Sequence, residues 1–152
     1  SSYSASWSWN DIGNYYAANT WSINLHENYY NLYFQLQNDL SKPPRVIRHK
    51  PIVPGLEFVN ELATGPSGSG DQSYIFGAPY TYKRFIRGTL PQGKSTFRIK
   101  GSMPDSPLYL ATLVSNYLLE DGVSNSGARV EFEKKVKLEK EIGKGKKKLY
   151  FY

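Results

Sequence analysis

Apolar and polar residues alternate with a period of two along much of this chain, and that pattern restricts its fold more than any other feature. In residues 2–9, Ser2, Ser4, Ser6 and Ser8 share one face, and Tyr3, Ala5, Trp7 and Trp9 share the other. Trp21, Ile23 and Leu25 alternate with Ser22, Asn24 and His26, and Tyr30, Leu32, Phe34 and Leu36 alternate with Asn31, Tyr33, Gln35 and Gln37. In residues 128–142, Val130, Phe132, Val136 and Leu138 face one way and a charged set faces the other. Successive side chains on a strand point to opposite faces, so each run reads as a half-buried β-strand. The two runs either side of Glu27-Asn28 read as a hairpin.

Turn residues punctuate these runs. Asn10–Asn14, Ser41–Pro44, Pro51–Gly55 and Leu90–Gly93 are rich in Gly, Pro, Asn and Asp, and Thr64–Asp71 has a loop composition. Further strands are expected at Arg45–His49, from Leu56, at Tyr74–Phe76, over Tyr80–Ile86, at Thr96–Lys100 and at Leu149–Tyr152. Residues 107–120 admit two readings. Leu110, Leu113, Val114, Tyr117 and Leu118 form a helical stripe, with Ser106 as N-cap and Gly122 past the end. Leu108, Leu110, Thr112 and Val114 also fit a strand buried on both faces. The expected fold class is all-β: one antiparallel β-sandwich domain over 1–152, with residues 1–20 as an N-terminal strand or extension and a helix or strand at 107–120.

With 152 residues the chain can bury one core without covalent staples, and it has no cysteine to make any. No apolar run is long enough to cross a bilayer, and the first ten residues lack the charged start and apolar centre of a signal peptide. There is no N-glycosylation sequon. The net charge of +6 is uneven: residues 1–41 hold no Lys or Arg, while the last 24 hold nine basic and four acidic residues. That imbalance favours an anionic or amphipathic partner.

Catalytic signatures are scarce. His26 precedes Glu27 but not in an H-E-x-x-H set, and His49 lies among cations in Arg45–Lys50 that disfavour its protonation. Both read as surface histidines. Gly65-Pro66-Ser67-Gly68-Ser69 lacks the last glycine of a nucleophile elbow, and no phosphate-binding glycine motif is present. Glu57 and Glu61 are acids in a loop-like region, which is weak ground for a glycosidase pair. The expectation is a protein that is not an enzyme, with no catalytic residue, cofactor or metal.

Aromatics make up 15% of the chain, more than a core of this size requires. Tyr and Trp favour membrane interfaces and sugar-binding faces. Tyr82-Lys83-Arg84-Phe85-Ile86-Arg87 interleaves cations with aromatics as single-strand nucleic-acid binders do, although no nucleic-acid-binding signature accompanies it. A β-strand with a basic outer face explains the same residues. Trp7, Trp9 and Trp21 are candidates for stacking on a carbohydrate. The strand at 2–9 is suited to self-association by pairing with a neighbour's sheet, or to pairing within its own.

Several segments, in order, resemble the actinoporin-like pore-forming cytolysins. Phe76-Gly77-Ala78-Pro79-Tyr80-Thr81-Tyr82-Lys83 is similar to that family's head-group signature, and His49–Gly55 to its H-K-x-V-P-x-G link. Trp21–Leu36 resembles its early hairpin, Phe97–Gly101 a later strand, and Asn125–Phe132 its closing strand. The resemblance implies a secreted, membrane-binding toxin: a β-sandwich that binds phosphocholine or anionic lipid, with Pro79, Tyr80, Tyr82, Lys83, Arg84 and Arg87 at the site. The family's amphipathic N-terminal helix has no counterpart here, which puts pore formation in doubt. Fungal fruit-body lectins share that fold, so a glycan is the alternative ligand to a lipid membrane surface.

Overall fold

Seven residues, Tyr29–Gln35, form β1 and show how the alternation is used. Tyr30, Leu32 and Phe34 are fully buried, while Tyr29, Asn31, Tyr33 and Gln35 keep part of their surface. Burying each of those three contributes about 1.5–3 kcal/mol, and a one-residue slip would turn them all into water. The computed structural model describes residues 8, 10–18 and 23–129.

β1 pairs antiparallel with β2 (Arg45–Lys50) and with β6 (Thr96–Ser102), in the order β2-β1-β6. The register with β2 shifts between Tyr33 and Phe34, so Ile47 has no opposite residue and stands 49% exposed. A second sheet has the order β3-β5-β4, with β3 at Glu57–Gly65, β4 at Gln72–Phe76 and β5 at Lys83–Pro91. β4 and β5 are antiparallel, but β3 and β5 run parallel, because the chain lays β4 on the far side of β5. The expected all-antiparallel arrangement is corrected at that pair.

The two sheets share one core. Tyr30, Leu32, Phe34 and Ile99 come from the first sheet and Leu62, Ile75, Ile86 and Leu90 from the second. Residues 10–17 tie the two sheets together at one side. Ser102 donates its backbone N–H to Gly13 O (3.0 Å) and its hydroxyl to Ile12 O (2.5 Å), and Asn14 Oδ1 accepts from Ile75 N–H (2.9 Å). Ile12 and Ala17 are buried beneath this clasp.

Residues 107–120 resolve as helix: α1 spans Ser106–Glu120. The cap is Asp105, whose carboxylate accepts from Leu108 N–H (2.9 Å); Ser106, expected in that role, is fully buried inside the first turn. At the other end Gly122 has φ +79°, and Val123 N–H and Gly122 N–H return to Leu118 O and Leu119 O. This closure satisfies the last carbonyls and needs the glycine. α1 packs on the core through Tyr109 and Leu113.

The expected hairpin across Glu27-Asn28 is not formed. His26, Glu27 and Asn28 all have positive φ, and Met103 N–H donates to Asn28 O, so this turn delivers the chain to β1 from outside the sheet. The expected strands at 2–9, 128–142 and 149–152 lie outside the described residues, apart from Ser8 and residues 128–129, which belong to no strand. The other strands form, but residues 80–82 belong to no strand, so the strand expected over Tyr80–Ile86 begins at Lys83 and runs on through Pro91, into the expected turn at Leu90–Gly93.

His49 is not a free surface histidine. Its ring lies edge-on to Tyr30 and Phe58, at 6.2 and 5.5 Å between centroids, and its Nε2 accepts Val53 N–H (3.1 Å). Burial, more than the flanking cations, holds its pKa below the usual histidine value. The unfolded chain therefore binds the proton more readily than the folded one. The stability His49 contributes is complete above its unfolded pKa, near 6.5, and is lost as pH falls through the depressed folded value. Melting temperature should fall between pH 7 and pH 5, and the fall should shrink in His49→Gln; equal falls in both proteins would show that other groups cause it.

Candidate functional site

The segment expected to bind head groups does not form one surface. β5 alternates, so Lys83 and Arg87 are exposed while Arg84 between them is fully buried. Arg84 Nη1 donates to Ala78 O (3.3 Å) and Thr81 Oγ1 (3.2 Å), and its Nε and Nη2 have no acceptor among the described residues. Tyr30 Oη lies near enough to feel that charge but outside hydrogen-bond geometry, and burial pushes the Tyr30 hydroxyl well above its ordinary value. Arg87 Nε pairs with Glu61 Oε2 across the sheet (2.5 Å), which raises the Arg87 pKa, and its guanidinium also lies over the Phe76 ring. Tyr82 turns in against the core, Pro79 is half-buried, and Tyr80 is exposed at φ +60° in the preceding turn. Trp7, Trp9 and Trp21 lie outside the described residues.

An open cleft of about 450 Å³ lies between α1 and the turn before β3. Val53, Pro54, Gly55, Tyr82, Leu108 and Tyr109 line most of it. Among the described residues its ionisable groups are the two tyrosines, both shifted upward chiefly by burial, so they are neutral donors at ordinary pH. The cleft can hold an apolar group but supplies no general base. Among the described residues no three His, Cys, Asp or Glu side chains cluster as a metal site would need, and no helix is long and apolar enough to cross a membrane.

The outer face of β2-β1-β6 has a different chemistry. Register places Lys50, Asn31 and Lys100 in one row and Arg48, Tyr33 and Arg98 in the next. Arg48 lies over the Tyr33 ring at 4.8 Å, and Lys100 lies over Tyr29 at 4.3 Å and Tyr15 at 5.6 Å. The three strands contain no Asp or Glu. Sequence reasoning missed this face because its rows join residues more than 60 positions apart. The alternation of Tyr29, Tyr33, Arg98 and Lys100 was visible, but the pairing of β1 with β6 was not.

A model of the D-Ala-D-Ala carboxypeptidase 3 (S13) family matches residues 1–142. Among solved structures, penicillin-binding protein 4 (dacB) from Haemophilus influenzae superposes with a TM-score of 0.61 at 12% identity, over 83% of this chain and 28% of that one. The same protein complexed with a novel β-lactam gives 0.52 at 10% identity, over 72% and 25%. At these identities the likeness speaks for the fold, and the chain spans little more than a quarter of those proteins. No curated protein matches the sequence.

The family match overturns the resemblance to cytolysins and lectins, and with it the expectations of a non-enzymatic toxin and of a lipid surface or free glycan as partner. The pieces that carried that resemblance are short: a turn before β5, the link before β3 and single strands such as β1 and β6, which unrelated sheets also contain. The match covers more than nine-tenths of the chain, so it does not rest on such fragments. This chain belongs to the D-Ala-D-Ala carboxypeptidase 3 (S13) family.

Proposed function

We propose that the chain is a non-nucleophilic, sheet-rich part of a D-Ala-D-Ala carboxypeptidase acting on peptidoglycan. The observation that carries this reading is the family match over residues 1–142. Penicillin-binding enzymes attack with the serine of an S-x-x-K motif and use K-T-G beside it. Neither motif occurs in these 152 residues. Ser106 begins a helix, but Tyr109 stands where the lysine would be, and the Ser106 hydroxyl is fully buried. The attacking serine is then supplied by residues beyond this chain. Its hydroxyl oxygen adds to the penultimate D-Ala carbonyl, the terminal D-Ala leaves as the amine, and water releases the acyl group. The present chain, with both sheets on one core as in a sandwich, is a rigid body beside that chemistry. Peptidoglycan lies outside the cytoplasmic membrane, so the working protein is placed there too.

Fluorescent penicillin tests this reading. The full-length protein carrying this chain should become covalently labelled, and peptide mapping should place the label on a serine outside residues 1–152. A label on a serine within them, or no label together with no D-Ala release from a D-Ala-D-Ala peptide, would overturn it.

A further inference from the structure

The outer face of β2-β1-β6 has a composition that scaffolding alone does not require. Arg45, Arg48, Lys50, Arg98 and Lys100 lie on two strands flanking β1, with no acid on any of the three. Neighbouring strands stand about 4.8 Å apart and same-face residues about 7 Å apart along a strand, so the Lys50/Lys100 and Arg48/Arg98 pairs mark the corners of a rectangle of roughly 10 by 7 Å. Like charges this close repel, and a sheet edge meant only to stay soluble would mix signs. Two acids near its rim are engaged already: Asp11 accepts from the Tyr16 hydroxyl, and Asp71 lines a small hollow with Tyr15, Tyr16 and Lys100. Asp71 is engaged by Ser73 through both its backbone N–H (2.9 Å) and its hydroxyl (2.5 Å).

The tyrosines fix the cations in place. Arg48 over Tyr33 and Lys100 over Tyr29 and Tyr15 are held against rings, which lowers the entropy lost when an anion arrives. Arg48 and Arg98 are exposed and have no carboxylate partner among the described residues, so their N–H groups are available for bidentate contact with carboxylates. Arg87, on the other sheet, shows the contrasting case, since Glu61 already occupies it.

We infer that this tyrosine-backed basic face is a docking surface for the carboxylate-bearing peptides of the peptidoglycan polymer, holding the wall against the protein. The inference rests on the carboxypeptidase reading, which supplies the polymer; charge complementarity and the spacing of the cations supply the rest. A flat surface of this kind takes a repeating ligand, with each site weak and the polymer bound through several at once.

Co-sedimentation of the full-length protein with purified sacculi tests it at low and physiological salt. The charge-reversed face, Arg48→Glu/Arg98→Glu/Lys100→Glu, should bind at least about tenfold more weakly than wild type. A control with the same net charge but changes off the face, Lys42→Glu/Lys83→Glu/Lys94→Glu, should lose less than about threefold. Sacculi whose carboxylates have been amidated should capture wild type as poorly as native sacculi capture the face variant. Equal losses in the two variants, full binding to amidated sacculi, or stronger capture by polyphosphate or anionic vesicles would each overturn the inference. Circular dichroism of both variants checks folding, and Arg48→Gln/Arg98→Gln, which removes charge without reversing it, should lie between wild type and the reversed face. Binding requires no turnover, so a wild-type protein that penicillin fails to label would defeat the carboxypeptidase reading and leave the sacculus result readable.

Discussion

Gly88→Ala should lower stability by about 3 kcal/mol or more and the melting temperature by about 10 °C. Gly88 lies in β5, the central strand of its sheet, opposite Leu62 on one side and Ser73 on the other. Two costs add there. Its φ of +104° is one that a residue with a side chain rarely adopts, and a Cβ would be driven into the backbone carbonyl oxygen of Gln72. Backbone in a paired strand cannot swing aside as a flexible side chain would, so relief requires β4 to peel from β5. The comparison is Gly68→Ala. Gly68 has φ +79° but sits in the β3–β4 loop with open space around it, so only the conformational cost of about 1 kcal/mol applies. Urea melts of both variants decide the matter; equal losses would mean that β4 yields easily.

Arg84 should give an inverted result. Arg84→Ala should cost about 3–5 kcal/mol, because it empties the space of a large, fully buried side chain. Arg84→Met keeps most of that volume and removes the charge. A buried guanidinium costs several kcal/mol to desolvate, and here no carboxylate among the described residues repays it. Its two hydrogen bonds, at 3.3 and 3.2 Å, are long, and their loss orphans neither acceptor, because the Thr81 hydroxyl (2.8 Å) and backbone N–H (3.2 Å) both still donate to Ala78 O. The expected order of stability is Met equal to or above Arg, with Ala far below. A loss above about 2 kcal/mol in Arg84→Met would show that the guanidinium has an anionic partner beyond the residues described.

That residue also shows what could and could not be read in the sequence. The alternation Lys83-Arg84-Phe85-Ile86-Arg87 put Arg84 on the same side as Ile86, facing the core, yet counting cations in a row merges both faces into one patch. Local period was legible at β1 and β6, whose alternate residues point into the core, whereas β2, with no buried residue and a shifted register, carries no such signal. The sequence left 107–120 open between helix and strand: Val114, Tyr117 and Leu118 of the helical stripe are exposed, and α1 meets the core through Tyr109 and Leu113, although the glycine stop stands at Gly122 as the helical reading had it. Pairing was not legible. Nothing near Leu25 reveals that three successive positive-φ residues will abolish a hairpin, or that β3 will meet β5 in parallel across 26 residues. The basic face depends on those distant pairings, and the family depends on a pattern spread over 142 residues, so neither could be read from short segments.

The clasp at residues 10–17 has a consequence for the order of events during synthesis. The bond from Ser102 to Ile12 closes a separation of 90 residues, and that from Ile75 to Asn14 one of 61. Residues 10–17 leave the ribosome before their partners on β4 and β6 exist, and so are among the last of this unit to be fixed. Until then the free edges of β4 and β6 stay open to other chains, and contacts of such long range slow the final closure. The nascent protein passes through its most adhesive state just before its core is complete.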